Sequence, residues 1–314
     1  MARKIILDLD PGLGDAMAAV LALLDPDLDV LAMTATPGLL SPQQTTRNLQ
    51  AVVEAVDPPK WPRIGAAAAD LTGVSLSDIP PFLTRLNGST GLGDRQVPVA
   101  EPHHRRDSAK VLVDLVRDQP HSITLVTLGP LTNLAFACDL CPDFFTLVEG
   151  VVMLGGAVAC GGDVTAAAEF NIYRDPIAAR RVLTGPEIKT LLPLDVAHET
   201  VLTLEEFSHF CRVDRPAIQF LQGLLNYSFR AHHECLGIEG IRIGEIAALA
   251  AVTRPRLFHT KRLSVGVELN GDLTRGMTVF DRRRMSAGSG TVNVVTEIDW
   301  PGVLAYIEKV LTSV

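Results

Sequence analysis

Short apolar runs bounded by turn residues alternate along the chain with stretches whose apolar residues recur every three or four positions. Runs of the first kind read as strands, and stretches of the second kind as amphipathic helices. The pattern predicts a strand at Lys4 to Leu9, a helix at Ala16 to Leu24, a strand at Asp29 to Thr34 and a helix opened by Ser41-Pro42-Gln43-Gln44. At that opening serine caps, proline takes the first turn and glutamine closes a capping box. Next come a helix over Asp107 to Arg117, a strand over Ser122 to Thr127, a helix over Leu131 to Ala137 and a strand over Val148 to Leu154. A helix from Asp175-Pro176 to Leu183 and a strand over Ile188 to Leu194 follow. Thr203-Leu-Glu-Glu206 is a second capping box and opens a helix-rich stretch to about Val252. Strands return from Leu263, and a last helix lies near Pro301 to Leu311.

Such alternation predicts an α/β fold with a mainly parallel central sheet flanked by helices. No internal repeat or low-complexity linker breaks it, so one domain over 1–314 is expected. The irregular stretch from Ala66 to Glu101, rich in Gly, Pro, Ser and Thr, is too long for an ordinary connection and reads as a functional loop.

Charge narrows the class of partner. There are 28 Lys+Arg against 36 Asp+Glu, a net −8, and the sequence pI is about 5.5. A polyanion partner needs a basic field, so nucleic acid is not expected. The chain is 47% hydrophobic and 20% charged, with mean hydropathy +0.24, which supplies a large core and argues against disorder. No run approaches the ~18 apolar residues of a membrane span. The opening stretch reaches Asp8 after three apolar residues, too soon for a secretion signal, and the cytoplasm is the expected compartment. Cys138, Cys141, Cys160, Cys211 and Cys235 are too sparse for a disulfide framework. Cys138 and Cys141 have the spacing of half a zinc site, but no second pair completes it.

Ligands of open parallel sheets bind beyond the carboxyl ends of the strands. The residues at those ends are Asp8, Asp10 and Asp15, Leu128-Gly129, Gly155-Gly156 and Asp195. Several carboxylates at one edge repel one another unless a cation sits among them, and oxygen-only ligands favour a hard ion, Ca²⁺ or Mg²⁺.

Lys4-Ile-Ile-Leu-Asp8-Leu-Asp10-Pro11-Gly12-Leu-Gly-Asp15-Ala16 resembles the amino-terminal signature of the inosine-uridine preferring nucleoside hydrolases, Asp-x-Asp-Pro-Gly-x-Asp-Asp-Ala. Thr45-Thr46-Arg47-Asn48, Gly129-Pro130-Leu131-Thr132-Asn133, Met153-Leu154-Gly155-Gly156-Ala157, Ala168-Glu169-Phe170-Asn171-Ile172-Tyr173 with Asp175-Pro176, Leu194-Asp195-Val196 and Arg275-Gly276-Met277-Thr278 resemble further family blocks, in the family's order. The haloacid dehalogenase nucleophile motif also opens on Asp-x-Asp but wants Thr two residues after its second Asp, where Gly12 stands.

The resemblance implies hydrolysis of the N-glycosidic bond of a nucleoside or related N-riboside, through an oxocarbenium-like transition state and with Ca²⁺ as cofactor. It implies Asp10 as metal ligand and general base, with Asp15, the Leu128 carbonyl and Glu245 as further metal ligands. Glu169 and Asn171 would bind the sugar, and Asp163, Met153 and Asn87 would also line the substrate. A homodimer or homotetramer is the expected assembly.

The departures from the family pattern concern chemistry. Gly14 stands for the first of two adjacent aspartates, Gly38-Leu39 for Gly-Asn, Asn87-Gly88 for His-Gly and Asp163 for Asn. Gly244-Glu245 stands where many members carry His-Asp, the histidine being assigned in some members to protonating the leaving base. Losing such an acid costs about 10²–10⁴ in rate. His232 and His233 are the candidate substitutes. Two readings follow: a hydrolase of altered preference, or a sugar- or nucleoside-binding protein with impaired catalysis on the same scaffold.

Overall fold

The computed structural model describes residues 2–69, 74–95, 97, 106–187, 189–210, 215–283 and 292–312. The strands are β1 (Arg3–Leu9), β2 (Leu28–Ala35), β3 (Arg63–Ala66), β4 (Arg106–Asp107), β5 (Thr124–Thr127) and β6 (Gly150–Leu154). They continue with β7 (Lys189–Leu192), β8 (Val201–Leu202), β9 (Ile241–Arg242), β10 (Phe258–Val267), β11 (Thr278–Asp281) and β12 (Val292–Ile298). All but β8 and β9 join one sheet in the order β11-β10-β12-β7-β6-β5-β1-β2-β3-β4. From β4 to β12 the neighbours run parallel, while β10 and β11 are antiparallel additions at one edge. β8 and β9 form a separate antiparallel pair.

The central strands are buried on both faces, which is why they read as unbroken apolar runs. Ile5, Leu7 and Leu9 of β1 enter one core layer and Ile6 the other, following the two-residue alternation of a strand. This arrangement is the expected α/β fold with helices on both faces.

Side-chain caps set four of the helix starts among the described residues, at Ser41, Glu169, Asp175 and Thr203. Ser41 accepts from the Gln44 amide at 3.2 Å and opens the helix Pro42–Val56, but the Gln44 side chain turns to Asn48 instead of closing the box. Thr203 and Glu206 do close theirs, each accepting the other's backbone N–H. The first helix spans Leu13–Leu24, three residues earlier than its periodicity predicts, so Gly14 and Asp15 lie inside its first turn. β10 starts at Phe258, five residues before the predicted strand. β3 and β4 escape sequence reading because they are short and carry no alternation. The long irregular stretch contains a helix at Pro81–Asn87, and parts of it lie outside the described residues. Among the described residues no helix is long and apolar enough to cross a membrane. Cys138, Cys141, Cys160 and Cys235 are free thiols, and Cys211 lies outside the described residues.

Candidate active site

The parallel strands β1, β2, β5, β6 and β7 end at the same sheet edge, because Asp8 pairs in register with Thr34 and Thr127, Thr127 with Met153 and Leu154 with Leu192. Asp10 and Asp195 both emerge there. A pocket opens above that edge, lined on its floor by Asp10, Asp15, Leu128, Glu169, Asn171 and Glu245.

Backbone contacts aim the floor. The Asp10 N–H donates to Asp15 Oδ2 at 2.8 Å, and Asp10 Oδ2 accepts from the Leu39 N–H at 3.3 Å. The residue standing for the family's asparagine therefore contributes its backbone rather than its side chain. Buried Arg174 secures this loop by donating to the Gly38 and Val74 carbonyls, both at 2.9 Å. Asp8 is a strut below the pocket: its Oδ1 accepts from Thr34 Oγ1 at 2.6 Å and Asn133 Nδ2 at 2.7 Å.

Glu169 caps the helix Phe170–Arg174, accepting from the N–H groups of Gly156 at 2.7 Å, Asn171 at 2.9 Å and Ile172 at 3.2 Å. Asn171 donates its amide to the carbonyls of Leu128 at 2.7 Å and Leu154 at 3.1 Å. Both residues thus brace the ends of β5 and β6 while facing the pocket. Asp195 caps the loop after β6 through the N–H groups of Val158, Ala159 and Cys160. Those donors outweigh its partial burial and hold its carboxyl below the usual range.

The floor is strongly acidic. Burial pushes the Asp10 carboxyl up to about 7, aided by the charge of Glu245. Asp15 is raised well above its ordinary value by burial and by the charges of Asp10 and Glu245, and burial raises Glu245 too. Glu169 rises to about 8 by burial, against its three N–H donors. No lysine or arginine pairs with Asp10, Asp15 or Glu245 among the described residues. Buried Asp15, half-buried Asp10 and Glu245 and the Leu128 carbonyl form an oxygen-only donor set whose repulsion a hard cation relieves. No three such side chains already converge on one point among the described residues, so closing on an ion requires side-chain rotation.

The opposite wall comes from other elements. Phe82, Leu83, Leu86 and Asn87 come from the helix Pro81–Asn87, and Ser228, His232 and Leu236 from the helix Pro216–Leu236. Ser228, His232 and Leu236 are spaced by four and share one helix face. His232 Nδ1 meets the Ser228 carbonyl at 2.9 Å, which leaves Nε2 for a ligand, and burial lowers its pKa. His233, one position on, turns away from the pocket. It is 64% exposed and sits 3.0 Å from Glu239, which corrects its expected place in the site.

Met153 is also corrected. It is fully buried in the core layer with Ile6 and Leu125, because successive residues of β6 face opposite sides and Leu154 takes the pocket side. Asn87 does line the pocket, but its Oδ1 accepts from the Leu13 N–H at 2.8 Å and its Nδ2 donates to the Leu83 carbonyl. It ties the loop helix to the first turn of Leu13–Leu24.

Sequence reading missed Arg242 and His198. Arg242 leaves β9 into the pocket with its buried Nε unpartnered, and across from it Asp163 keeps an unpartnered buried Oδ1. Burial raises the Asp163 carboxyl to about 6, opposed by the Phe170 N–H and the Arg242 charge. His198 has its pKa lowered by burial and by Arg242. The available signal was an arginine enclosed in the apolar run Ile241-Arg242-Ile243.

Gly244 is closed in. A Cβ there would lie 2.8 Å from the Ala197 Cβ and 3.4 Å from Leu154 Cδ1, so a histidine at this position would have to push Ala197 aside.

Solved structures share this architecture along the whole chain. The plant nucleoside hydrolase PpNRh1 is similar at 28% identity and a TM-score of 0.89, covering 100% of both chains. The purine-preferring ribonucleoside hydrolase from Gardnerella vaginalis is similar at 26% identity and a TM-score of 0.91, covering 99% of this chain and 98% of its own. Fold and acidic pocket thus define an N-glycosyl hydrolase, the expected class. The family model of the inosine-uridine preferring nucleoside hydrolases matches residues 5–305. The pyrimidine-specific ribonucleoside hydrolase RihA of Salmonella paratyphi B is 32% identical over 306 residues, covering 96% of each chain. The chain belongs to the inosine-uridine preferring nucleoside hydrolase family.

Proposed function

We propose that the chain is a calcium-dependent N-ribohydrolase that cleaves a ribonucleoside or related N-riboside to free base and sugar, with Asp10, Asp15, Glu245 and the Leu128 carbonyl holding the ion. The observation that carries this reading is the convergence on one end of the pocket of three carboxylates, Asp10, Asp15 and Glu245, beside which no lysine or arginine stands among the described residues. Calcium bound there would supply an anchor for the sugar hydroxyls and make the attacking water more acidic. Asp10 takes the proton from that water. Its carboxylate is held in place for this by the Leu39 N–H and by the bond from its own N–H to Asp15. Glu169 and Asn171 orient the sugar from positions that their backbone contacts keep rigid.

The departing base faces the other wall. With position 244 closed, the groups there that can meet developing negative charge among the described residues are the Arg242 guanidinium, His198 and His232 Nε2. Each histidine acts as an acid only in its protonated form, which burial disfavours. Substrates whose leaving group needs no proton are therefore the better ones. Metal analysis, together with release of free sugar from a nucleoside panel with calcium and with chelator, tests the proposal. Activity that survives complete calcium removal would refute it.

A further inference from the structure

Two of the departures from the family pattern meet in space. Gly14 lies in the first turn of the helix Leu13–Leu24, and Glu245 in the first turn of the helix Gly244–Thr253. The two helices pack directly together through small residues, with Ala16, Ala19, Ala247, Ala248 and Ala251 all buried. A Cβ placed on Gly14 would lie 2.7 Å from Glu245 Oε2 and closer still to Cδ and Oε1, inside the 3.0 Å that real Cβ contacts respect. The Glu245 carboxylate therefore fills the volume that any side chain at 14 would take. Backbone conformation does not require the glycine, since Gly14 is absent from the positive-φ residues, and within a helix glycine is less favourable than alanine.

We infer that Gly14 and Glu245 are a matched exchange. Glu245, one methylene longer than the aspartate of the family pattern at its position, seats its headgroup on the bare Cα of Gly14, so that one carboxylate fills the space between two positions that carry one each in that pattern. Position 14 thereby sets the cation site through Glu245 and acts as a positioning residue. The inference rests on the cation reading of the pocket, but the seat itself is a steric relation that can be measured without metal. Because the atoms in conflict are the end of a flexible side chain, a residue larger than glycine should displace Glu245 rather than unfold the chain.

A double-mutant cycle on the full chain tests this with two readouts, calcium titration by calorimetry and thermal unfolding of the metal-free protein. Gly14→Ala should weaken calcium binding by more than about tenfold, a loss that even an outer-layer partner brings. Glu245→Ala should weaken it as much, and the double variant no further, since both changes remove one and the same carboxylate. Gly14→Asp combined with Glu245→Ala should bind calcium more tightly than Gly14→Asp alone. Without metal, Gly14→Ala should lower the unfolding temperature when Glu245 is present and not when position 245 is alanine. Unchanged affinity in Gly14→Ala, or losses that add in the double variant, would overturn the seat. Failure of the parent chain to take up calcium, with the coupling in unfolding temperature intact, would overturn the cation reading and leave the seat standing.

Discussion

The floor of the pocket and its opposite wall are built on different principles. All floor residues but Glu245, which comes from the helix after β9, leave the ends of parallel strands or lie in the turns and helices that directly follow them, and Asp10, Asp15, Glu169 and Asn171 are each fixed by backbone hydrogen bonds. The wall is assembled from helix faces and the two-residue strand β9, and it keeps Arg242 Nε unpartnered, with Asp163 Oδ1 also unpartnered across from it. A sheet edge holds reacting groups rigidly, whereas a wall of helix and loop side chains changes without disturbing the core. Departures from the family pattern fall on both sides, Gly14, Leu39 and Glu245 at the floor and Asn87 and Asp163 at the wall.

That contrast is broken most directly at Asp10. Asp10→Asn, nearly isosteric, should lower kcat/KM by about 10²–10⁴ on every substrate alike, the range for a general base. A loss confined to one class of leaving group would place Asp10 on the wrong side of the division. At the wall the effect should depend on the leaving group. The parent enzyme should prefer p-nitrophenyl riboside to inosine and uridine, and His232→Ala should slow the nucleosides by up to about 10² while sparing the nitrophenyl substrate. Equal losses on both would make His232 structural. Restoring histidine by Gly244→His should destabilise the fold by about 1–3 kcal/mol through overpacking against Ala197, readable in denaturant unfolding.

A smaller effect separates the floor from the rest of the molecule by pH. Asp10 and Glu169 carry protons in the folded state up to about 7 and about 8, whereas unfolded carboxylates release theirs near 4. Between those limits the folded chain binds more protons than the unfolded chain, so stability is greatest below about pH 4 as far as these groups are concerned and falls as pH rises to about 8. The unfolding temperature of metal-free protein should decline between pH 5 and 8, and calcium should restore it at the upper end. A flat profile would mean that the carboxylates are already compensated. The smallest effects belong to the corrected residues. His233→Ala and the core swap Met153→Leu, the latter costing under about 1.5 kcal/mol, should leave kcat/KM within about twofold, and a larger change would return either residue to the site.

Much of this molecule was legible in its sequence because the relevant signals are local. Apolar runs and caps are read within a few residues, so the strand and helix alternation, the Thr203–Glu206 box and the acidic residues behind β1 needed no tertiary information. The ordered family blocks then placed Glu169 and Asn171 at the pocket. Helical periodicity separates His232 from His233, and strand alternation separates Leu154 from Met153, but only once it is known which face meets the pocket. Packing alone decided the rest. Whether position 244 has room depends on Ala197, and Arg242 and Asp163 come to face one pocket from separate elements. Gly14 reads alone as a lost carboxylate and Glu245 as an elongated ligand. Close approach of two alanine-rich helices from opposite ends of the chain makes them a single feature, a contact that no local pattern encodes.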